Sequence, residues 1–196
     1  MLIFEPNSRP MGSSYSEWSA EWWKWLISIP KNENPVFETS GKVTMNNYIH
    51  SNVLFLCQTI ESIKPIPHRK INFSFGSSIF MPIINWISIS EDKAESDHDL
   101  KDLARRKMDS VGNLELFING MSLPVNLKDY RIESDAFDIV LPTSNIFGLK
   151  PGSARAASDG FWVFFKPLVA KIEVESHGSC SAGLTQIGIN YLLKAS

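Results

Sequence analysis

Ser13-Ser14-Tyr15-Ser16-Glu17-Trp18-Ser19-Ala20-Glu21-Trp22-Trp23-Lys24-Trp25-Leu26-Ile27-Ser28-Ile29-Pro30 holds four of the chain's six tryptophans within the span from Trp18 to Trp25. At about 100° per residue, Tyr15, Trp18, Trp22, Trp25, Leu26 and Ile29 fall on one arc, the pattern of an amphipathic helix. Ser14 and Glu17 stand in the Ser-x-x-Glu relation of a capping box, in which each side chain satisfies an orphan backbone donor at the helix start. Pro30 closes the segment, because proline lacks an N–H and biases the preceding residue out of the α region. Residues 13–30 are therefore predicted as a Trp-rich amphipathic helix whose aromatic face must be covered by the rest of the chain. Trp23 and Ile27 lie off the main arc and are the candidates for a second contact surface, toward a ligand or another subunit.

Working outward, the remainder reads as β structure. Val53 to Thr59 is a short apolar run, expected as a strand buried on both faces. Lys70 to Phe75 alternates apolar and polar residues before a turn at Gly76-Ser77-Ser78. Ile79 to Ile89 is a long β segment, and Pro82 within it must sit at a bulge or an edge, since it cannot donate to a ladder. Residues 91–109 change character, with acids first and Arg105-Arg106-Lys107 last around a narrow stripe of Leu100, Leu103, Ala104 and Met108. That polarity complements a helix dipole, and Ser96 with Asp99 offers a cap, so an acidic loop followed by a surface helix is predicted.

Asn119-Gly120 between apolar runs is a strong hairpin signal, because both residues tolerate positive φ. Residues 130–132 and 136–141 read as strands, and residues 145–158 as a Gly/Ser/Ala-rich loop. Asp159-Gly160 is read as a turn into the strand Phe161 to Phe165, and residues 171–175 and 186–193 supply the last two strands. With no internal repeat and no linker, residues 1–196 form one domain: a mainly β, jelly-roll-like β-sandwich carrying two helices.

Composition excludes several classes. The formal net charge of −2 offers no field for nucleic acid or anionic lipid. No apolar run reaches the roughly 18 residues of a membrane helix. The opening Met-Leu-Ile-Phe-Glu-Pro-Asn-Ser-Arg-Pro lacks the basic and apolar regions of a secretory signal, and two cysteines make no disulfide framework. A cytoplasmic protein without membrane insertion is expected.

Candidate chemistry is sparse. His177-Gly178-Ser179-Cys180 places an imidazole near a thiol in what reads as a loop, but nothing marks the third group that would orient a nucleophile pair. Asp97-His98-Asp99 holds ligand atoms that point apart along one element, while His50 and His68 stand alone, so no metal or other cofactor is expected. Cys57 reads as a small core residue. The polar residues singled out are Arg69, Asn85 and Asp159, candidates to gather at one end of the sandwich, together with Glu21 and Trp23 on the helix. Arg69 beside a carboxylate would make a bidentate pair or grip an anion. Indole rings could also form a platform for sugars, although their spacing on one arc favours a core role.

The whole chain resembles a family of uncharacterised bacterial proteins, many of them exported. The likeness rests on Tyr15-Ser16-Glu17-Trp18-Ser19-Ala20-Glu21-Trp22-Trp23-Lys24-Trp25, on Ser28-Ile29-Pro30 with Asn34-Pro35 and Gly41, and on Val53-Leu54-Phe55-Leu56, Arg69 and Gly76 to Asn85. It continues through Phe117-Ile118-Asn119-Gly120, Tyr130-Arg131, Leu141-Pro142, Asn145 to Gly148, Asp159-Gly160-Phe161-Trp162 and Pro167-Leu168. The resemblance implies a shared fold and carries no named activity. Exported relatives tend to have cysteines near positions 44 and 71, a pair suited to a disulfide, where this chain has Thr44 and Ile71. Losing both together fits a reducing compartment. The function expected is a non-enzymatic binding or structural module, with a carbohydrate-like ligand or self-association into a homo-oligomer as candidates. The alternative is a hydrolase whose site gathers Arg69, Asp159 and Glu21.

Overall fold

Ser14 caps helix α1 (Tyr15–Ser28), and its capping box with Glu17 is complete: each side chain accepts from the other residue's backbone N–H. The computed structural model describes residues 2–39, 49–50, 52–59, 65–90, 95–181 and 187–195. Along α1, Tyr15, Trp18, Trp22 and Leu26 are buried as the arc predicts. Trp18 meets Phe164 edge-on at 5.4 Å and Trp22 meets Trp162 at 5.2 Å. Trp162 in turn stacks on Phe80 at 5.0 Å. Trp23 and Ile27, the candidates for a second contact surface, are both buried. Strand β8 (Phe137–Leu141) runs against the helix as well, and Lys31 N–H donates to Ser144 O at 2.8 Å, drawing the loop after β8 over that side.

The body is two sheets. The first runs β1 (Ile49–His50), β2 (Val53–Phe55), β4 (Ser78–Ser90) and β9 (Gly152–Phe165), with β7 (Arg131–Glu133) and β8 both paired to β9. The second runs β3 (His68–Phe73), β11 (Ile187–Ala195), β10 (Ile172–Cys180), β5 (Val111–Ile118) and β6 (Met121–Ser122). This is a β-sandwich bearing helices, as expected. Two pairs, β2 with β4 and β3 with β11, are parallel, whereas a jelly roll is built from antiparallel strands. Pro82 sits where the β4–β9 register shifts, which is the bulge a mid-strand proline requires. Asn119 (φ 51°) and Gly120 (φ 75°) make the β5–β6 hairpin. Helix α2 (Asp97–Met108) starts at the Ser96–Asp99 capping box and packs on β4 and β9. Its stripe is Leu100, Ala104 and Met108, while Leu103 turns out to be exposed. Residues 91–94 of the acidic loop lie outside the described residues.

Two segments read as loops are strands. β9 begins at Gly152 and runs unbroken through Asp159-Gly160, so there is no turn there and Gly160 has no positive φ. The small residues serve close packing instead. A Cβ at Gly160 would lie 2.6 Å from Asn85 Cβ and 2.9 Å from Ile84 O. Likewise His177 to Cys180 belongs to β10, and a Cβ at Gly178 would lie 2.8 Å from Ile84 Cβ, where the two sheets touch. No described helix is long and apolar enough to cross a membrane.

Candidate functional site

Trp22 Nε1 donates to Leu56 O at 2.9 Å, which pins α1 over the chain that leaves β2. Beyond the bulge at Pro82, strand alternation turns Asn85, Ile87 and Ile89 to one face of β4. Between that face, α1, residues 58–59 and the loop after β8 lies a cavity of about 610 Å³, lined mainly by apolar groups such as Ile87, Phe147 and Leu149. Its size is that of a pocket for a small organic molecule.

Three of its lining residues carry an unusual feature. Trp23 Nε1, Gln58 Oε1 and Asn85 Nδ2 are sealed from solvent and have no hydrogen-bond partner among the described residues. A buried polar group without a partner costs about 1–3 kcal/mol, and these three atoms, although their residues line the cavity, expose almost no surface to it. The Gln58 amide is held from its other end. Nε2 donates to Ile83 O and, at 3.0 Å, to Ser176 Oγ. Since a carbonyl oxygen can only accept, Nε2 must face it, and Oε1 is left as an acceptor.

Of the residues singled out by sequence, Trp23 and Asn85 meet in this cavity. The other three do not join them. Arg69 is fully buried in the sandwich, because on β3 it alternates with Ile71 and Phe73. Its guanidinium donates to Cys57 O (2.8 Å), Tyr191 Oη (2.9 Å), Pro35 O (2.6 Å) and Glu38 O (2.7 Å). Arg69 is a staple joining β3 and β11 to two connections. Burial pushes the Tyr191 hydroxyl and the Cys57 thiol above their ordinary pKa values, and the Arg69 charge pulls both back.

Asp159 lies opposite Trp86 in the ladder, on the face away from Asn85. Its partner is Arg131, which sequence reasoning passed over, with Nη2 at 2.6 Å and Nε at 3.0 Å from Oδ2. Burial raises the Asp159 pKa and the Arg131 fork opposes that rise. Glu21 stays at the surface, paired with Lys24 at 2.8 Å. A second hollow, of about 290 Å³ on the other sheet, includes Arg69 but neither Asp159 nor Glu21. The polar cluster sketched from sequence is therefore not assembled.

The remaining motifs resolve into structure. Cys180 Sγ donates to Lys107 O at 3.2 Å, whereas His177 Nε2 meets Glu175 Oε1 at 2.7 Å, so thiol and imidazole serve different partners. Asp97 pairs with Arg155 at 2.9 Å and Asp99 caps α2. Among the described residues no group of three or more His, Cys, Asp or Glu could hold a metal ion. Gln58 escaped sequence reasoning too; its signal was a lone long polar side chain inside the run from Val53 to Thr59, all of it buried. Comparison with protein-family models, with curated proteins and with solved structures finds no match.

Proposed function

We propose that the protein is a non-enzymatic binding module that takes a small, mostly apolar molecule into the cavity beneath α1. The observation that carries this reading is the cavity itself, about 610 Å³ and lined mainly by apolar groups from α1, β4 and the loop after β8, a size suited to a small organic molecule. A molecule that fills such a cavity covers its apolar walls and, by binding the folded chain alone, stabilises it. The indole rings of α1 are sunk into the body or half-buried, so a carbohydrate ligand would have to enter the cavity rather than lie on an open platform.

The test uses 1-anilinonaphthalene-8-sulfonate, whose emission rises in apolar surroundings. Saturable one-to-one binding, displaced by naphthalene and lost in Leu149→Trp, which fills the cavity, is the expected result. Absence of binding, or equal binding by the filled variant, would overturn the reading.

A further inference from the structure

Among the described residues that line the cavity beneath α1, Lys31 alone carries a charge. The deeper walls come from Trp22, Leu26, Ile87 and Ile146, all buried. Lys31 and Phe37 line the cavity too but are exposed, so they stand at its rim, where it meets solvent. The backbone N–H of Lys31 donates to Ser144 O at 2.8 Å, which fixes the root of the side chain between the end of α1 and the loop after β8. Its Nζ lies 5.6 Å from the centre of the Phe37 ring, so the ammonium rests on a wall of the cavity in a cation–π contact. Among the described residues no carboxylate pairs with this ammonium, and none lines the cavity. We infer that the ligand is an amphipathic carboxylate, its apolar body seated against Ile87, Phe147 and Leu149 and its single charged head at the rim beside Lys31 Nζ. This rests on the cavity being a binding site, and deepens that reading by fixing the ligand's charge and orientation.

Other head groups fit less well. A cationic head would meet Lys31 as a like charge, with no acid in the lining to offset it. A neutral body fills the interior and leaves the ammonium unused. A dianionic phosphate would find one cation and no guanidinium fork. A carboxylate drawn into the interior would be an unpaired buried charge, so the head stays at the rim, shared between Lys31 and water.

Four probes with one ring system test this by isothermal titration or competition with the dye: 2-naphthoate, 2-naphthamide, 2-naphthyl phosphate and 2-naphthylmethylammonium. At about pH 7 the naphthoate is an anion and the amine a cation. An ion pair at an exposed rim is worth at most about fivefold in affinity. In low salt 2-naphthoate should therefore bind about three- to fivefold more tightly than 2-naphthamide, and the ammonium more weakly than either. That gap should close at about 1 M salt, where the screening length falls to about 3 Å. Lys31→Met keeps an apolar stem without the charge and should abolish the preference for 2-naphthoate, whereas Lys31→Arg should keep it. The probe series on the parent decides the question even without the variants. Equal affinity for all four probes, or an unchanged preference in Lys31→Met, would overturn the carboxylate assignment and leave the cavity a binding site. Tightest binding of the phosphate or of the ammonium would overturn it in favour of that head group. Failure of the dye and of every probe to bind would overturn both readings.

Discussion

Gly160→Ala separates the two explanations for the Asp159-Gly160 pair. In a turn requiring positive φ the substitution would strain the backbone; in an ordinary strand it would stabilise by about 0.5–1 kcal/mol, because alanine has less freedom to lose. The structure gives a third answer. Gly160 lies mid-strand without positive φ, but a new Cβ would stand 2.6 Å from Asn85 Cβ, 2.9 Å from Asn85 Cα and 2.9 Å from Ile84 O. Two of those atoms are backbone, so no rotamer change relieves the contact and β4 must move away from β9. Overpacking of this kind costs about 1–3 kcal/mol, which outweighs the entropic gain.

The net expectation is a loss of about 1–2 kcal/mol, seen as a fall in Tm of about 2–8 °C for a chain of this size. The control is Gly112→Ala, whose Cβ would meet only Ser179 Oγ at 3.9 Å and which should be neutral or slightly stabilising. Thermal and urea unfolding of both variants supply the measurement. Because Asn85 lines the cavity, Gly160→Ala should also weaken dye binding. A Gly160→Ala protein as stable as Gly112→Ala would refute the close-approach argument.

Arg69 supports a second prediction: Arg69→Met takes the Arg69 donor from the buried Pro35 carbonyl and the part-buried Glu38 carbonyl, leaves Cys57 O with Tyr191 Oη as its side-chain donor, and should cost about 3 kcal/mol or more in urea unfolding. Arg69→Lys should not restore it, since one ammonium cannot span acceptors that the planar fork reaches together; recovery to within about 0.5 kcal/mol of the parent would contradict this. Glu17 has a pKa held below its ordinary value, first by the Ser14 backbone N–H and then by its hydroxyl. The unfolded chain therefore binds more protons as pH falls, so this contribution is present above the unfolded pKa and is lost as pH drops through the folded one. The Tm gap between the parent and Glu17→Gln should accordingly narrow from about pH 6 to about pH 3, and a constant gap would argue against the cap. Cys57 and Cys180 are free and buried, so both should resist a thiol reagent until the protein unfolds, and fast labelling of either would contradict their packing.

What could be read from the sequence follows from how local each cause is. The capping boxes at Ser14 and Ser96, the Asn119-Gly120 hairpin and the bulge at Pro82 depend on neighbours a few residues away, and all were legible. The strand through Ala156, Ala157, Ser158, Asp159 and Gly160 was not, because small residues mark a loop and a tightly packed strand alike. What decides between them there is Asn85, far away in sequence. Burial of Trp23 has the same origin: helical periodicity describes one covered face, and β8 with its following loop adds a second. Arg69 could have been read differently, since its alternation with Ile71 and Phe73 already placed it on the inward face of β3. Of the cavity's polar residues, Trp23 was singled out for a second contact surface and Asn85 for a cluster with Arg69 and Asp159, and Gln58 was hidden in an apolar run. Their meeting depends on the parallel pairing of β2 with β4, which no short-range pattern announces.

The most direct measurement is the indole N–H region of a two-dimensional ¹H–¹⁵N spectrum during addition of 1-anilinonaphthalene-8-sulfonate. Trp22 and Trp18 already donate to Leu56 O and Pro10 O, and Trp162 is stacked on Phe80 away from the cavity lining. The Trp23 resonance, assigned by its loss in Trp23→Phe, should therefore move with a saturable dependence on the dye while those of Trp18 and Trp162, outside the cavity lining, stay nearly in place. A Trp23 signal that stays fixed while the dye binds, or all indole signals shifting alike, would contradict the claim that the cavity beside Trp23 is the binding site.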